Sequence, residues 1–263
     1  MDPPHTPAAL ETLRTARALL ENPGLAARMT NLIGSPIEKG LDMLPSGWNK
    51  RVGAITKAAL VKAADVAIST LGDQPSRDSS NRWHKLSVAT TGGVGGFFGL
   101  AGLAVELPIS TTIMMRSIAD IARSEGESPN RPDTRLGCIE VFALGGKNPS
   151  DDGTESGYYL MRAALAQAVG QATEYVAGSA AGMAAPPALM RLISVVSQRF
   201  GIQVTEKAAA QAMPAIGAAG GALINTLFID HFQDMARGHF IVRRLERSYG
   251  KAAVKQAYDA LEG

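Results

Sequence analysis

Apolar residues recur with helical spacing along nearly the whole chain. Leu10, Leu13 and Leu20 mark a first helix, with Thr6 placed to cap it, Pro7 at its first position and Asn22-Pro23-Gly24 as its stop. Ser35-Pro36-Ile37-Glu38 reads as a capping box. Pro45-Ser46 opens a longer helix to about Leu71, which Gly72 ends. Residues 73–82, DQPSRDSSNR, have the turn chemistry of a polar linker. An uncharged run from Leu86 to Val105 follows, then a helix from Pro108 to about Ser124 with Gly126 as its stop. The pattern predicts a further helix over Thr134–Leu144 and a surface loop over 145–157. Helical spacing resumes at Tyr158 and runs into the Gly/Ala-rich stretch Ala177–Ala185. Pro186-Pro187 starts a helix to Phe200, and Thr205 caps the next one. That helix is kinked or broken at Pro214 and turns amphipathic from Asp230 to Tyr249. Gly250 stops it, and Lys251–Leu261 is a short final helix.

No stretch alternates with the period of two that a half-buried strand requires. The fold expected is therefore all-α: a helical bundle with a central pair of Gly/Ala-rich helices, 86–104 and 208–229, surrounded by amphipathic ones. The linker suggests a soft boundary between an N-terminal helical segment, 1–72, and a body, 83–263, the two forming one compact unit.

Composition narrows the function. The chain has 263 residues, enough to bury most of its unfolded surface without disulfides or metals. Lysine plus arginine is 26 against 24 acids, so bulk charge does not point to nucleic acid. One cysteine, Cys138, excludes an internal disulfide, and a buried structural thiol is the expectation for it. The first residues, MDPPHTPAALETLRTARALLENP, lack the apolar core of a signal peptide, so a cytoplasmic location is expected, extending to the inner face of a membrane.

The glycines are unevenly placed. Leu86–Val105 holds Gly92, Gly93, Gly95, Gly96, Gly99 and Gly102. Gly92/Gly96, Gly95/Gly99 and Gly217/Gly221 have the four-residue spacing that lets helix backbones approach closely. Leu86–Val105 and Ala208–Ile229 are as long as a membrane span, but Gly, Ala and Thr dilute their hydrophobicity. Each glycine in an aqueous helix costs about 1 kcal/mol relative to alanine, so tight packing, a functional bend or a switch must offset the run. The stretch TTGGVGG lacks the Gly-Lys-Ser/Thr end of a P-loop, and no strand precedes it.

Three segments in order carry a family resemblance: TTGGVGGFFGLAGLAVELPISTTIMMRSIADIARSEG, RLGCIEVFALGG and AMPAIGAAGGALINTLFIDHFQDMARGHFIVRRLE. The chain resembles the EcsC family over roughly 45–250. The resemblance implies a bacterial helical protein, cytoplasmic or membrane-associated, of a family named for its gene neighbourhood with an ABC exporter. It supplies no catalytic residues.

Several polar groups are candidates for chemistry. Glu106 precedes Pro108, where it could favour a helix start or sit at the mouth of an apolar cleft. Arg116, Asp120 and Arg123 share one helix face, read either as solvated or as a pairing site for Glu106 or an anionic headgroup. Asn225, inside the apolar run, needs hydrogen-bond partners if buried. His231 and Asp234 are weak metal candidates, and with His239 they read as polar-face residues. Lys50, Arg51, Lys57 and Lys62, and then Arg237, Arg243, Arg244, Arg247 and Lys251, form two basic groups, read either as solvated faces or as the kind that anionic membranes attract.

The function expected is non-enzymatic: a membrane-associated protein that holds a lipid or other apolar ligand, or inserts its Gly-rich hairpins. Ligand or membrane contact is assigned to Gly92, Gly95, Gly96, Gly99, Glu106, Arg116, Asp120, Gly217, Gly221 and Asn225. No cofactor, metal or nucleic acid is expected. One alternative is a hydrolase using Glu106, Asp120 or a His231/Asp234 site. Another is an interaction module for an ABC transporter or other membrane-protein partner.

Overall fold

The computed structural model describes residues 6–21, 24–34, 37–70, 99–145, 157–178, 187–213 and 217–261. These form ten α-helices and one 3-10 turn, with no strand among the described residues. The helices are α1 Pro7–Leu20, α2 Leu25–Ile33, α3 Glu38–Leu41, α4 Trp48–Thr70 and α5 Gly99–Ser124. They continue with α6 Pro132–Glu140, α7 Gly157–Gly178, α8 Pro187–Ala212, α9 Gly217–Tyr249 and α10 Lys251–Asp259. The 3-10 turn Val141–Ala143 extends α6. The chain is an all-α bundle.

Local chemistry explains several ends. Thr6 accepts a hydrogen bond from the N–H of Ala9, and Pro7 opens α1. Gly126 and Gly250 have positive φ, +81° and +88°, and stop α5 and α9 where the sequence places stops.

Three boundaries differ from the sequence expectation. Pro108 lies inside α5 rather than at its start, and the helix continues on both sides because Leu103, Leu107, Met114 and Met115 are all buried. Interior proline costs a helix about 3 kcal/mol or more, so packing must outweigh it. Thr205 caps nothing. It lies within the continuous α8, its hydroxyl donating to the Gly201 carbonyl and accepting from the Trp48 indole N–H. The run 208–229 is divided, its first residues ending α8 and its later ones opening α9. Gly92, Gly95, Gly96, the 35–36 part of the capping box, Gly72 and the 73–82 linker lie outside the described residues.

The 33-residue α9 organises the bundle. Phe228, Phe232, Ala236 and Phe240 are fully buried along it. Phe142, Phe200, Phe228 and Phe232 form an aromatic cluster with ring centroids 5.0–6.1 Å apart. Contacts fix the helix directions. Glu106 meets Lys207 beside Phe228, Ser117 meets Gln233, and Glu127 meets Arg243, so α5 runs parallel to α9. Trp48 meets Thr205 and Thr56 meets Ser197, so α4 runs antiparallel to α8. Helices from the 1–72 segment share the core: Leu13, Leu20, Met29, Val52 and Leu60 belong to the same cluster of buried residues as α5, α8 and α9.

Helix α1 crosses α9 at Gly238. A Cβ there would lie 2.5 Å from Leu20 Cγ and 2.9 Å from the Ala16 carbonyl oxygen. Gly53 in α4 has open space around an added Cβ. Gly238→Ala is therefore expected to destabilise the protein by about 1–3 kcal/mol through overpacking. Gly53→Ala is expected to stabilise it by about 0.5–1 kcal/mol through helix propensity. Urea denaturation of the two variants against wild type checks both signs.

Candidate functional site

The residues singled out from sequence do not come together. Glu106 is buried and accepts a 2.9 Å hydrogen bond from Lys207 Nζ. Lys207 is itself fully buried and sits 4.9 Å from the Phe228 ring centroid. The pair clasps α5 to α8 beside α9. Glu106 therefore neither starts a helix nor answers the α5 arginines. Arg116 is half-buried. Asp120 pairs with Arg123, their side chains 9% and 17% exposed, which corrects the reading of a solvated face. Asn225 is fully buried in α9. Gly99 and Gly217 open α5 and α9, and Gly221 is a buried position one turn into α9.

His231 and His239 are core residues rather than polar-face ones. Burial drives the His231 imidazole down to about 4, with the Arg28 charge adding to that effect. Its Nε2 lies 3.4 Å from Gln203 Nε2, which donates to the Leu144 carbonyl. Asp234 turns elsewhere, to Arg28 at 3.2 Å and Arg237 at 3.6 Å. No group of three or more His, Cys, Asp or Glu among the described residues is placed to hold a metal ion. Cys138 is buried, and desolvation pushes its thiol up to about 12, which leaves it protonated and unreactive.

The C-terminal basic run is largely paired with acids, although Arg244 and Arg247 stay 48% and 42% exposed. Arg243 Nε donates to Glu127 Oε1 at 2.9 Å, and Arg247 pairs with the same carboxylate. Arg244 pairs with Glu125 at 3.0 Å. The α5–α6 connection thus brings acids to these arginines from more than 100 residues away in sequence. Lys50, Arg51 and Lys62 on α4 stay exposed, and Lys57 is half-buried.

These ion pairs wall a cleft of about 640 Å³ between α6, α7 and the α9–α10 junction. Arg162 of α7 grips Glu246 of α9 through two bonds, 2.6 and 3.0 Å. This fork geometry is the strong form of the interaction. Arg162 also lies against the Tyr158 and Tyr159 rings. The Tyr158 hydroxyl lies 3.4 Å from Arg162 Nη1 and 3.1 Å from His239 Nδ1, which extends the polar chain into the core. Opposite, burial works to raise Glu127, yet the hydrogen bonds and charges of Arg243, Thr134 and Arg247 hold it below the ordinary carboxylate value.

Glu140 differs from its neighbours. It lines the same cleft and is 7% exposed. Among the described residues it makes no hydrogen bond and no ion pair, although Arg162, Arg243 and Lys251 face it. Burial pushes its carboxyl up despite those cations. It is also the last residue of α6, where the helix dipole opposes a negative charge. The arrangement can bind a polar group and can hold or release a proton at Glu140. Sequence reasoning did not select Glu140, Arg162, Glu127 or Glu246. The one available signal was a lone acid within the apolar run Cys138-Ile139-Glu140-Val141-Phe142.

The sequence model of the EcsC protein family matches residues 11–245, and the chain belongs to this family. Comparison with curated proteins and with solved structures gave no match. No helix among the described residues is long and apolar enough to cross a membrane.

The Lys207–Glu106 clasp makes a direct prediction. Lys207→Met strands a buried carboxylate and is expected to cost about 3–5 kcal/mol. Adding Glu106→Leu removes the stranded charge, so the double variant is expected to recover most of that loss in urea denaturation.

Proposed function

We propose that this EcsC family member is a non-enzymatic protein that holds a small polar ligand in the cleft between α6, α7 and the α9–α10 junction. Glu140 carries the reading. A mostly buried carboxyl on a cleft wall with no hydrogen-bond partner among the described residues gains from one, because a largely desolvated polar group is costly to leave unpaired. A ligand in the cleft would supply the partner. The ligand contacts thus move from the apolar inter-helix cavity expected from sequence to a charged one. The hydrolase reading has less support, because Glu106, Asp120, His231 and Asp234 approach Lys207, Arg123, Gln203 and Arg28 rather than one another.

A second reading, contact with a membrane surface on the cytoplasmic side, is favoured by a separate observation. Val105 and Ile109 lie one turn apart on α5, 66% and 42% exposed, next to the glycine-rich run. The exposed cations of α4 would add electrostatic attraction to anionic lipid.

Gly170 lines the cleft and has open space around an added Cβ, so Gly170→Trp fills the cleft without removing an ion pair. Wild-type protein is expected to retain a small molecule in native mass spectrometry, or to be stabilised by one in a panel of phosphates, carboxylates and amines; Gly170→Trp is expected to lose that behaviour. Wild type that binds none of them overturns the cleft reading.

For the membrane reading, the protein is expected to float with phosphatidylglycerol vesicles. Val105→Ser with Ile109→Ser is expected to reduce flotation at high salt, and Lys50→Glu with Arg51→Glu at low salt. Absence of flotation at either salt removes this reading.

A further inference from the structure

We infer that the cleft takes an oxyanion, a phosphate or a chemically similar group, and that Glu140 takes up a proton when the anion binds. The inference rests on the cleft reading above and adds the sign of the ligand and the proton that accompanies it.

The electrostatics around Glu140 decide the sign. The charged groups facing it are Arg162 of α7, Arg243 and Glu246 of α9, and Lys251 of α10. Tyr158 of α7 and Cys138 of α6 also lie within its field, both held protonated by their own burial. Glu127 stands across the cleft, engaged by Arg243, Arg247 and Thr134. Arg131, Asp133 and Glu174 also line the cleft, so with Glu140 protonated its lining carries five cations against four acids, and the cations predominate around Glu140 itself, which favours an anion over an ammonium group there. An anion would be attracted and would face a protonated carboxyl able to donate a hydrogen bond.

Two further features complete the site. Lys251 lines the cleft and has no ion-pair partner among the described residues. It is also the first residue of α10, whose N-cap is Gly250, with no side-chain capping bond. The free N–H groups at a helix start favour anions. The cleft rim therefore offers an uncommitted cation and an uncapped helix N-terminus, while its wall offers a buried carboxyl with no partner. Arg162 and Arg243 stay bound to Glu246 and Glu127 and supply field without having to leave their carboxylates.

Proton uptake follows from linkage. Burial already favours the neutral form of Glu140. A second negative charge beside it favours that form further, so the bound state holds more protons than the free state at a pH above the ordinary carboxylate range. Affinity for the anion must then fall as pH rises.

The test uses full-length protein and sulfate, whose charge is constant between pH 5.5 and 8.5, with inorganic phosphate in parallel. Calorimetric titration of wild type is expected to show sulfate binding that weakens at least about tenfold across that range. Titration in buffers of different ionisation enthalpy is expected to show net proton uptake, a measurement that needs no variant. Glu140→Gln keeps a donor and removes the titration, so it is expected to bind sulfate about equally at both pH values. Lys251→Ala is expected to weaken binding about fivefold or more.

Competition by phosphatidylglycerol vesicles, but not phosphatidylcholine vesicles, would place the oxyanion on a lipid headgroup. Sulfate and phosphate binding without such competition would place it on a free solute, and both results support the inference. Wild type that ignores sulfate and phosphate but binds spermidine in a Glu140-dependent manner overturns the inference and leaves the cleft reading standing. Sulfate binding that neither variant alters, or that keeps its full pH dependence in Glu140→Gln, overturns the inference as well.

Discussion

A helix that crosses the middle of a bundle must have every polar side chain it carries met from outside itself. Helix α9 imposes this constraint on the whole protein. Along its 33 residues it buries Asn225, His231, Gln233, His239 and Glu246 among the phenylalanines of the core. Each of the last four is met by a side chain from another helix. Gln203 of α8 approaches His231, Ser117 of α5 accepts from Gln233, Tyr158 of α7 meets His239, and Arg162 of α7 meets Glu246. Arg243 and Arg247 are answered by the α5–α6 connection. Hydrophobic burial drives these helices together, but the polar pairings select their register, because an unmet buried group costs more than a met one gains.

The same constraint separates structural charges from functional ones. Lys207 and Glu106, Asp120 and Arg123, and Asp234 and Arg28 are buried or half-buried pairs that satisfy each other. Such pairs hold helices at fixed positions and leave little capacity for a ligand. Glu140 breaks the pattern: it sits at the negative end of α6, facing cations that are already engaged or stand at the rim. A carboxyl without an ion-pair partner among the described residues, on a cleft wall with cations around it, is a capacity to bind.

The basic C-terminal segment shows why charge patterns along a chain mislead. In sequence, Arg243, Arg244 and Arg247 form a local excess of positive charge that the one neighbouring acid, Glu246, does not balance. In the fold, Glu125 and Glu127 arrive from the end of α5 and neutralise much of it. Among the described residues, unpaired exposed positive character remains at Lys50, Arg51 and Lys62 of α4 and at Lys251. The two basic groups look alike in sequence, but most of the C-terminal one is committed to acids brought by the fold.

The sequence alone determined the helical class, most helix ends, the Thr6 cap and Pro7 start, the Gly126 and Gly250 stops, and the family. These features rest on local rules, in which spacing, capping and φ preference act within a few residues. Only the tertiary structure decided that α5 passes through Pro108 and that α8 passes through Thr205. In both places burial against distant helices outweighs a local signal. It alone decided which charges were paired between helices, because those partners lie 84 to 206 residues apart. The cleft was illegible for the same reason. Glu140 stands out only as a lone acid in an apolar run until folding brings Arg162, Arg243 and Lys251 around it. A side chain's charge is written in the sequence, but its desolvation and its neighbours exist only once the chain has closed on itself.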